Sequence, residues 1–123
     1  MKEKILVVDD EQAVRALLEK FLIIKGYTPL LAANGEEAIE IVKKDNPAVV
    51  LMDIRMPGMD GLTAVKKIQE INEKIGIIMI TAVQSDIVGQ ESFKIGAFDY
   101  VTKPFDLEYL EKALMVKIAI LVK

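Results

Sequence analysis

Five polar residues stand where hydrophobic runs end in this 123-residue chain, and their types belong together chemically. Asp9 and Asp10 follow Ile5-Leu6-Val7-Val8, Asp53 follows Val49-Val50-Leu51-Met52, Thr81 closes the run from Ile77, and Lys103 follows the segment that ends at Thr102. Carboxylates held a few ångströms apart repel one another, and their pKa values rise unless a cation intervenes. Hard oxygen ligands suit Mg2+, which binds through one or two carboxylates plus phosphate and keeps several waters. Beside such an ion, one carboxylate can act as nucleophile toward a phosphoryl group. Charge on the transferred group's equatorial oxygens would then meet the ion, the Lys103 ammonium and the Thr81 hydroxyl. One Asp behind a strand is ordinarily a helix N-cap or a turn residue, and one lysine a solvated surface group. The chemical interpretation gains its weight from four strand ends carrying the fitting residue type at once.

For these residues to meet, the strand ends must converge. Short apolar runs alternate with segments of helical period along the whole chain. Ile5–Asp9, Val49–Asp53 and Ile77–Thr81 are nearly continuous in aliphatic residues, as strands are when helices cover both faces of a parallel sheet. Thr28–Ala33 is also extended, and Pro29, which cannot donate to a ladder, puts it at an edge. Phe98–Thr102 is more mixed and forms the other edge. Val14, Leu17, Leu18, Phe21 and Leu22 make one apolar helical stripe, closed near Gly26. Glu36–Lys44 is a second helix, ended by Asn46-Pro47, and Leu62, Val65 and Ile68 mark a third. A weaker fourth spans Asp86–Ile95, with Gly89 inside it and Gly96 behind it, and Leu107–Val122 is the fifth. The pattern predicts one α/β domain over residues 1–123: a doubly wound five-stranded parallel sheet in the order 2-1-3-4-5 with five helices. Sites in such sheets form beyond the carboxyl ends of the strands, where strand order reverses, here between the first and third.

Composition narrows the chemistry further. The chain has no cysteine, hence no disulfide framework and no thiolate metal site, as suits a reducing compartment. It has no histidine, which removes the commonest general base and zinc ligand and any phosphate carried on its own imidazole. A net charge of −3 gives no electrostatic footprint for nucleic acid. No apolar stretch reaches the roughly 18 residues of a membrane span, and the run after Met1-Lys2-Glu3-Lys4 is too short for a signal peptide. A soluble cytoplasmic protein is expected.

Taken in order, four segments resemble the receiver domain of two-component response regulators, over essentially the full length of the chain. They are Ile5-Leu6-Val7-Val8-Asp9-Asp10-Glu11, Leu51–Gly61 with its Asp53-Ile54-Arg55-Met56-Pro57-Gly58, Ile80-Thr81-Ala82, and Lys103-Pro104-Phe105. The chain is most similar to single-domain members, such as the intermediates of sporulation phosphorelays. The resemblance implies a flavodoxin-like receiver fold and a phosphoacceptor at Asp53, with Mg2+ held by Asp9, Asp10, Asp53 and the backbone carbonyl of Arg55. It implies phosphoryl contacts from Thr81 and Lys103, aided by the N–H groups of Arg55 and Ala82. Tyr100 would be the aromatic switch that turns inward as Thr81 moves. The Lys103–Pro104 peptide is expected to be cis, and Arg55 and Val83 stand at positions that tune phosphate lifetime. The phosphate would come from a sensor histidine kinase or histidine phosphotransfer protein. Docking would use Gln12, Ala13, Val14, Leu17, Pro104 and Phe105, although Val14 and Leu17 fit core packing equally well and Phe105 fits better under its loop. With no DNA-binding domain in the chain, output is expected to pass to a downstream protein target, unless the chain is a fragment of a longer regulator.

Other functions fit less well. A pseudo-receiver would lack one of the acidic pair, the acceptor or the lysine, and none is missing. An FMN-binding flavodoxin needs a hydroxyl- or glycine-rich phosphate loop after the first strand, where Asp9-Asp10-Glu11 would repel it. Aspartate-nucleophile phosphatases resemble Asp-x-Asp at that strand and carry a cap domain, for which this chain has no room. On the fifth helix, Leu107, Leu110, Leu114, Ile118 and Leu121 form the core stripe, and Ala113, Val116 and Ile120 a second ridge on roughly the opposite face. That ridge is either scattered exposed residues or a surface for a homodimer or for exchange of the last helix.

Overall fold

The structure is a computed structural model and describes residues 3–82 and 86–121. Within them β1 (Lys4–Val8), β2 (Thr28–Ala32), β3 (Val49–Met52), β4 (Gly76–Thr81) and β5 (Asp99–Thr102) alternate with helices. These are α1 (Gln12–Ile24), α2 (Gly35–Asp45), α3 (Gly61–Ile71), α4 (Asp86–Lys94) and α5 (Leu107–Leu121). The strands pair in parallel in the order β2-β1-β3-β4-β5. β2 and β5 are therefore the edges, and the reversal falls between β1 and β3. No described helix is long and apolar enough to cross a membrane. Val83 and Val122, and the side chain of Leu121, lie outside the described residues.

Successive side chains of a strand point to opposite faces, and here both faces are apolar. Ile5, Val7, Val49, Leu51, Ile78 and Ile80 pack on one side with Leu18, Phe21 and Leu22 of α1 and Leu110 and Leu114 of α5. Leu6, Val8, Val50, Met52, Ile77 and Met79 pack on the other with Ala38 and Val42 of α2 and Ala64, Val65 and Ile68 of α3. Each fully buried Leu or Ile contributes roughly 1.5–3 kcal/mol. This two-sided burial explains the unbroken aliphatic runs of the central strands.

The helices are delimited as their sequences require. Asn34 caps α2 by accepting from Glu37 N–H at 2.8 Å, while the Glu37 carboxylate accepts from Ala33 N–H at 2.7 Å; Asp60 caps α3 through Thr63 N–H at 2.9 Å. Gly26 and Gly96 follow α1 and α4 with φ of 89° and 105°, and each N–H donates back to the helix, to Ile23 and Phe93 respectively. The next residues, Tyr27 and Ala97, donate to Leu22 and Ser92, completing the left-handed end that glycine favours. Gly89, midway along α4, is different, since a Cβ there would meet nothing within 4 Å.

Two expectations need correction. β1 and β3 stop one residue short of Asp9 and Asp53: both backbone N–H groups still pair, with Ala32 and Val8 carbonyls at 3.1 and 3.0 Å, but the strands go no further. On α5, Ala113 is buried and belongs to the core. At about 100° per residue it lies on the flank of the Leu110–Leu114 stripe rather than opposite it, and its methyl is short enough to be covered there. The exposed ridge comprises Tyr109, Val116 and Ile120, with Met115 beside it.

Gly61 closes the turn between β3 and α3. Its N–H donates to the Ile54 carbonyl at 2.8 Å, and a Cβ would land on the Asp53 carbonyl and 2.7 Å from Ile54 Cα. Gly61→Ala must therefore displace backbone. A loss of about 2 kcal/mol is expected in urea denaturation, with NMR amide shifts centred on Asp53 and Ile54; wild-type stability would refute this packing.

Candidate functional site

The site follows from register. Val8 pairs with Met52, so the next residues, Asp9 and Asp53, emerge side by side at the carboxyl edge of the sheet. Thr81 pairs with Thr102 at the ends of β4 and β5, and Lys103 N–H donates to the Thr81 carbonyl at 2.8 Å. Asp9, Asp53 and Thr81 are buried, Asp10 exposed. Lys103 spans the crevice: its Nζ lies 2.7 Å from Asp9 Oδ2, 3.2 Å from Asp53 Oδ2 and 3.4 Å from Glu11 Oε1, with only 14% of the side chain exposed. The Thr81 hydroxyl donates to the Asp53 carboxylate. The Lys103–Pro104 peptide is cis.

Electrostatics match the geometry. Burial, reinforced by the charge of Asp9, pushes the Asp53 carboxyl above its ordinary value, while Lys103 and the Thr81 hydroxyl pull it partway back. For Lys103, burial acts to lower the pKa, but the hydrogen bond to Asp9 and the charges of Asp53 and Asp9 outweigh it and leave the ammonium above its ordinary value. Asp9, Asp10 and Asp53 each offer a carboxylate oxygen, all within 4.8 Å of one another. Three hard oxygens from two neighbouring strand ends fit a Mg2+ ion, and the Asp53 carboxylate is disfavoured first by burial and then by the charge of Asp9, with Lys103 offsetting part of this.

Not every expected residue joins this cluster. Arg55 follows in the β3–α3 turn with its side chain exposed, apart from the buried carboxylates. Tyr100 packs half-buried against the α2–α3 face, and burial raises its hydroxyl pKa. Its N–H donates to Asp99 Oδ1 at 2.8 Å, and Asp99 Oδ2 accepts from the Tyr109 hydroxyl at 2.5 Å. Gln12, Ala13 and Pro104 are exposed at the rim. Val14 and Phe105 pack on the α1–α5 core, whereas Leu17 is 49% exposed and lines an apolar cavity of about 320 Å3 with Phe21, Ile24 and Leu107.

Two polar contacts were not foreseen. Glu11 makes no side-chain cap for α1 and turns to Lys103 instead. Arg15, on the first turn of α1, donates from Nη1 to the Asp9 carbonyl at 2.7 Å. Arg15 flanks the apolar stripe without interrupting it, so nothing in the sequence signals this contact.

Fold and site together define the class of doubly wound α/β phosphoacceptor domains. The family description "Response regulator receiver domain" matches residues 5–115. The chain is 41% identical over 114 residues to sporulation initiation phosphotransferase F of Bacillus subtilis, covering 93% of this chain and 92% of that protein. It is 44% identical over 110 residues to the probable transcriptional regulator ycf27 of Porphyra purpurea, covering 89% of this chain but 45% of that protein. Among solved structures it is similar to the CheY-like receiver domain protein of Methanospirillum hungatei, with TM-score 0.95, 26% identity and 98% and 97% of the two chains covered. It is similar also to chemotaxis protein CheY4 of Vibrio cholerae, with TM-score 0.89, 32% identity and 94% and 98% coverage. The chain belongs to the response regulator receiver family, whose members are phosphoacceptor signalling modules.

The raised pKa of Asp53 has a consequence for stability. Because the folded state disfavours the carboxylate, its contribution is complete below the ordinary value of 3.8 and is lost as pH rises through the elevated folded value. Asp53→Asn removes this penalty. In metal-free buffer the melting temperature of Asp53→Asn should exceed that of wild type by a margin that grows from pH 3.8 toward neutrality. A margin that is flat or shrinks with pH would show that Asp53 is not electrostatically disfavoured.

Proposed function

We propose that Asp53 accepts a phosphoryl group from a phosphohistidine on a sensor histidine kinase or phosphotransfer protein, in a Mg2+-dependent reaction, and that the chain serves as a signalling switch or relay intermediate. The observation that carries this is the Lys103 ammonium lying between two buried carboxylates, 2.7 Å from Asp9 and 3.2 Å from Asp53, beside the Thr81 hydroxyl.

Asp9, Asp10 and Asp53, with the Arg55 carbonyl, would hold the Mg2+, which supplies charge compensation for the phosphoryl oxygens. The chain's own groups do the rest. An Asp53 carboxylate oxygen attacks phosphorus as the P–N bond to the donor imidazole breaks, its electron pair leaving with the nitrogen. Burial keeps this carboxylate more basic than in water, hence a stronger nucleophile, while Lys103 holds it oriented. Once Asp53 carries the phosphoryl group as an acyl phosphate, Lys103 transfers its hydrogen bonds to the phosphoryl oxygens, and the Thr81 hydroxyl turns from the carboxylate to the same group. Movement of Thr81 vacates space near β5, into which Tyr100 turns.

The chain turns over no external substrate; it promotes its own phosphorylation and dephosphorylation. It works as one receiver domain over 1–123, in the cytoplasm, without nucleic acid or membrane contact. The donor docks on Gln12, Ala13, Leu17 and Pro104 at the rim, with Val14 and Phe105 supporting that surface from the core. The response passes to a downstream protein. A second copy pairs on, or exchanges, the last helix through Tyr109, Val116 and Ile120.

Treatment with acetyl phosphate and Mg2+ should add one phosphoryl group by mass spectrometry, and Asp53→Asn should add none; equal uptake by the variant would remove Asp53 from the role. Lys103→Ala should still be phosphorylated but leave the Tyr100 ring resonances at their unphosphorylated positions. Light scattering at high concentration tests self-association, and a monomer mass with and without phosphorylation would exclude it.

A further inference from the structure

We propose that Arg15 is a positioning residue for the acidic pair, holding the peptide that joins Asp9 to Asp10 so that both carboxylates face Asp53. The proposal rests on reading that cluster as a cation site. The peptide concerned lies between the end of β1 and the start of α1, where regular structure offers its carbonyl nothing. The last ladder bond on this side is Asp9 N–H to Ala32, and the first helical bond is Arg15 N–H to Glu11, at 3.1 Å each. The Asp9 carbonyl is taken instead by Arg15 Nη1 at 2.7 Å.

The two carboxylates differ in how much they depend on this bond. Asp9 is anchored at both oxygens, Oδ1 by Glu11 N–H at 2.9 Å and Oδ2 by Lys103 at 2.7 Å. Asp10 is exposed, and its carboxylate has no hydrogen-bond partner among the described residues. Its place within 4.8 Å of Asp9 and Asp53 oxygens is therefore set by backbone alone, and the backbone link is the peptide that Arg15 holds.

Arg15 thus exerts two effects of opposite sign on a cation. Its positive charge repels the ion, and its grip on the peptide organises the ligands. Partners that orient metal ligands typically contribute about 10–100-fold in affinity, whereas repulsion from a part-exposed charge is weakened by the water around it. Positioning should win.

The test is Mg2+ affinity by isothermal titration calorimetry on the full chain, with wild type, Arg15→Met and Arg15→Lys. Arg15→Met keeps the apolar stem without charge or donor and is expected to bind Mg2+ about ten-fold more weakly. Arg15→Lys retains one donor and should recover part of the loss. In metal-free protein, the Asp10 amide should exchange with solvent faster in Arg15→Met, while amides of β3 and β4 keep their protection, which separates local loosening from misfolding. Equal or tighter Mg2+ binding by Arg15→Met would overturn the proposal, since that is what charge removal alone predicts. If Arg15→Met fails to fold, Arg15→Lys decides: affinity equal to wild type overturns positioning by the guanidinium, and a partial loss supports it. No Mg2+ uptake by wild type would bring down the cation-site reading itself, whereas an unaltered Arg15→Met beside a binding wild type removes only Arg15.

Discussion

Lys103 lets acidic side chains be buried at the edge of an aliphatic sheet. Moving a carboxylate out of water costs several kcal/mol even after relaxation, and Asp9 and Asp53 are both buried. Their mutual repulsion adds to that cost. An ammonium within 3.2 Å of both offsets much of it, and the Thr81 hydroxyl more. What remains is a net upward shift at Asp53, so the charge is stabilised incompletely. A site left in that condition is receptive to further positive charge. The order β2-β1-β3-β4-β5 makes this possible by setting the ends of β1 and β3 side by side.

Most of the fold was legible because each central strand is apolar on both faces, a pattern that only helices on both sides can satisfy. Pro29 marked an edge for an equally local reason. Boundaries were less certain, since Asp9 and Asp53 keep one ladder bond while standing outside the strands. Periodicity gives the angle of a side chain around a helix but not how closely the helix approaches the sheet. That is why Ala113 on α5 and Leu17 on α1 ended on the sides they did, the first covered and the second half-exposed over a cavity.

At the site, Asp9, Asp53, Thr81 and Lys103 could be read from the sequence because a strand end is a position in space as well as in the chain. Glu11 and Arg15 could not. A surface glutamate and a helical arginine are common, and nothing local indicates that one reaches Lys103 and the other a carbonyl six residues back. Nor does the sequence announce that Tyr109 holds the carboxylate next to Tyr100, a contact across the turn from β5 to α5. Contacts of this kind depend on loop conformation, which hydrophobic pattern does not specify.

Gly89 bears on how firmly α4 is held as a helix. Mid-helix glycine costs about 1 kcal/mol relative to alanine, and here no steric conflict explains its presence. α4 is short, nine residues, and helices of that length rely on packing rather than on their own propensity. Near such a balance, each 1.4 kcal/mol changes a population ratio about ten-fold, so the handicap at Gly89 alone is worth about five-fold. α4, which packs beside the strand that carries Tyr100, is thus a marginal helix whose order depends on its few tertiary contacts.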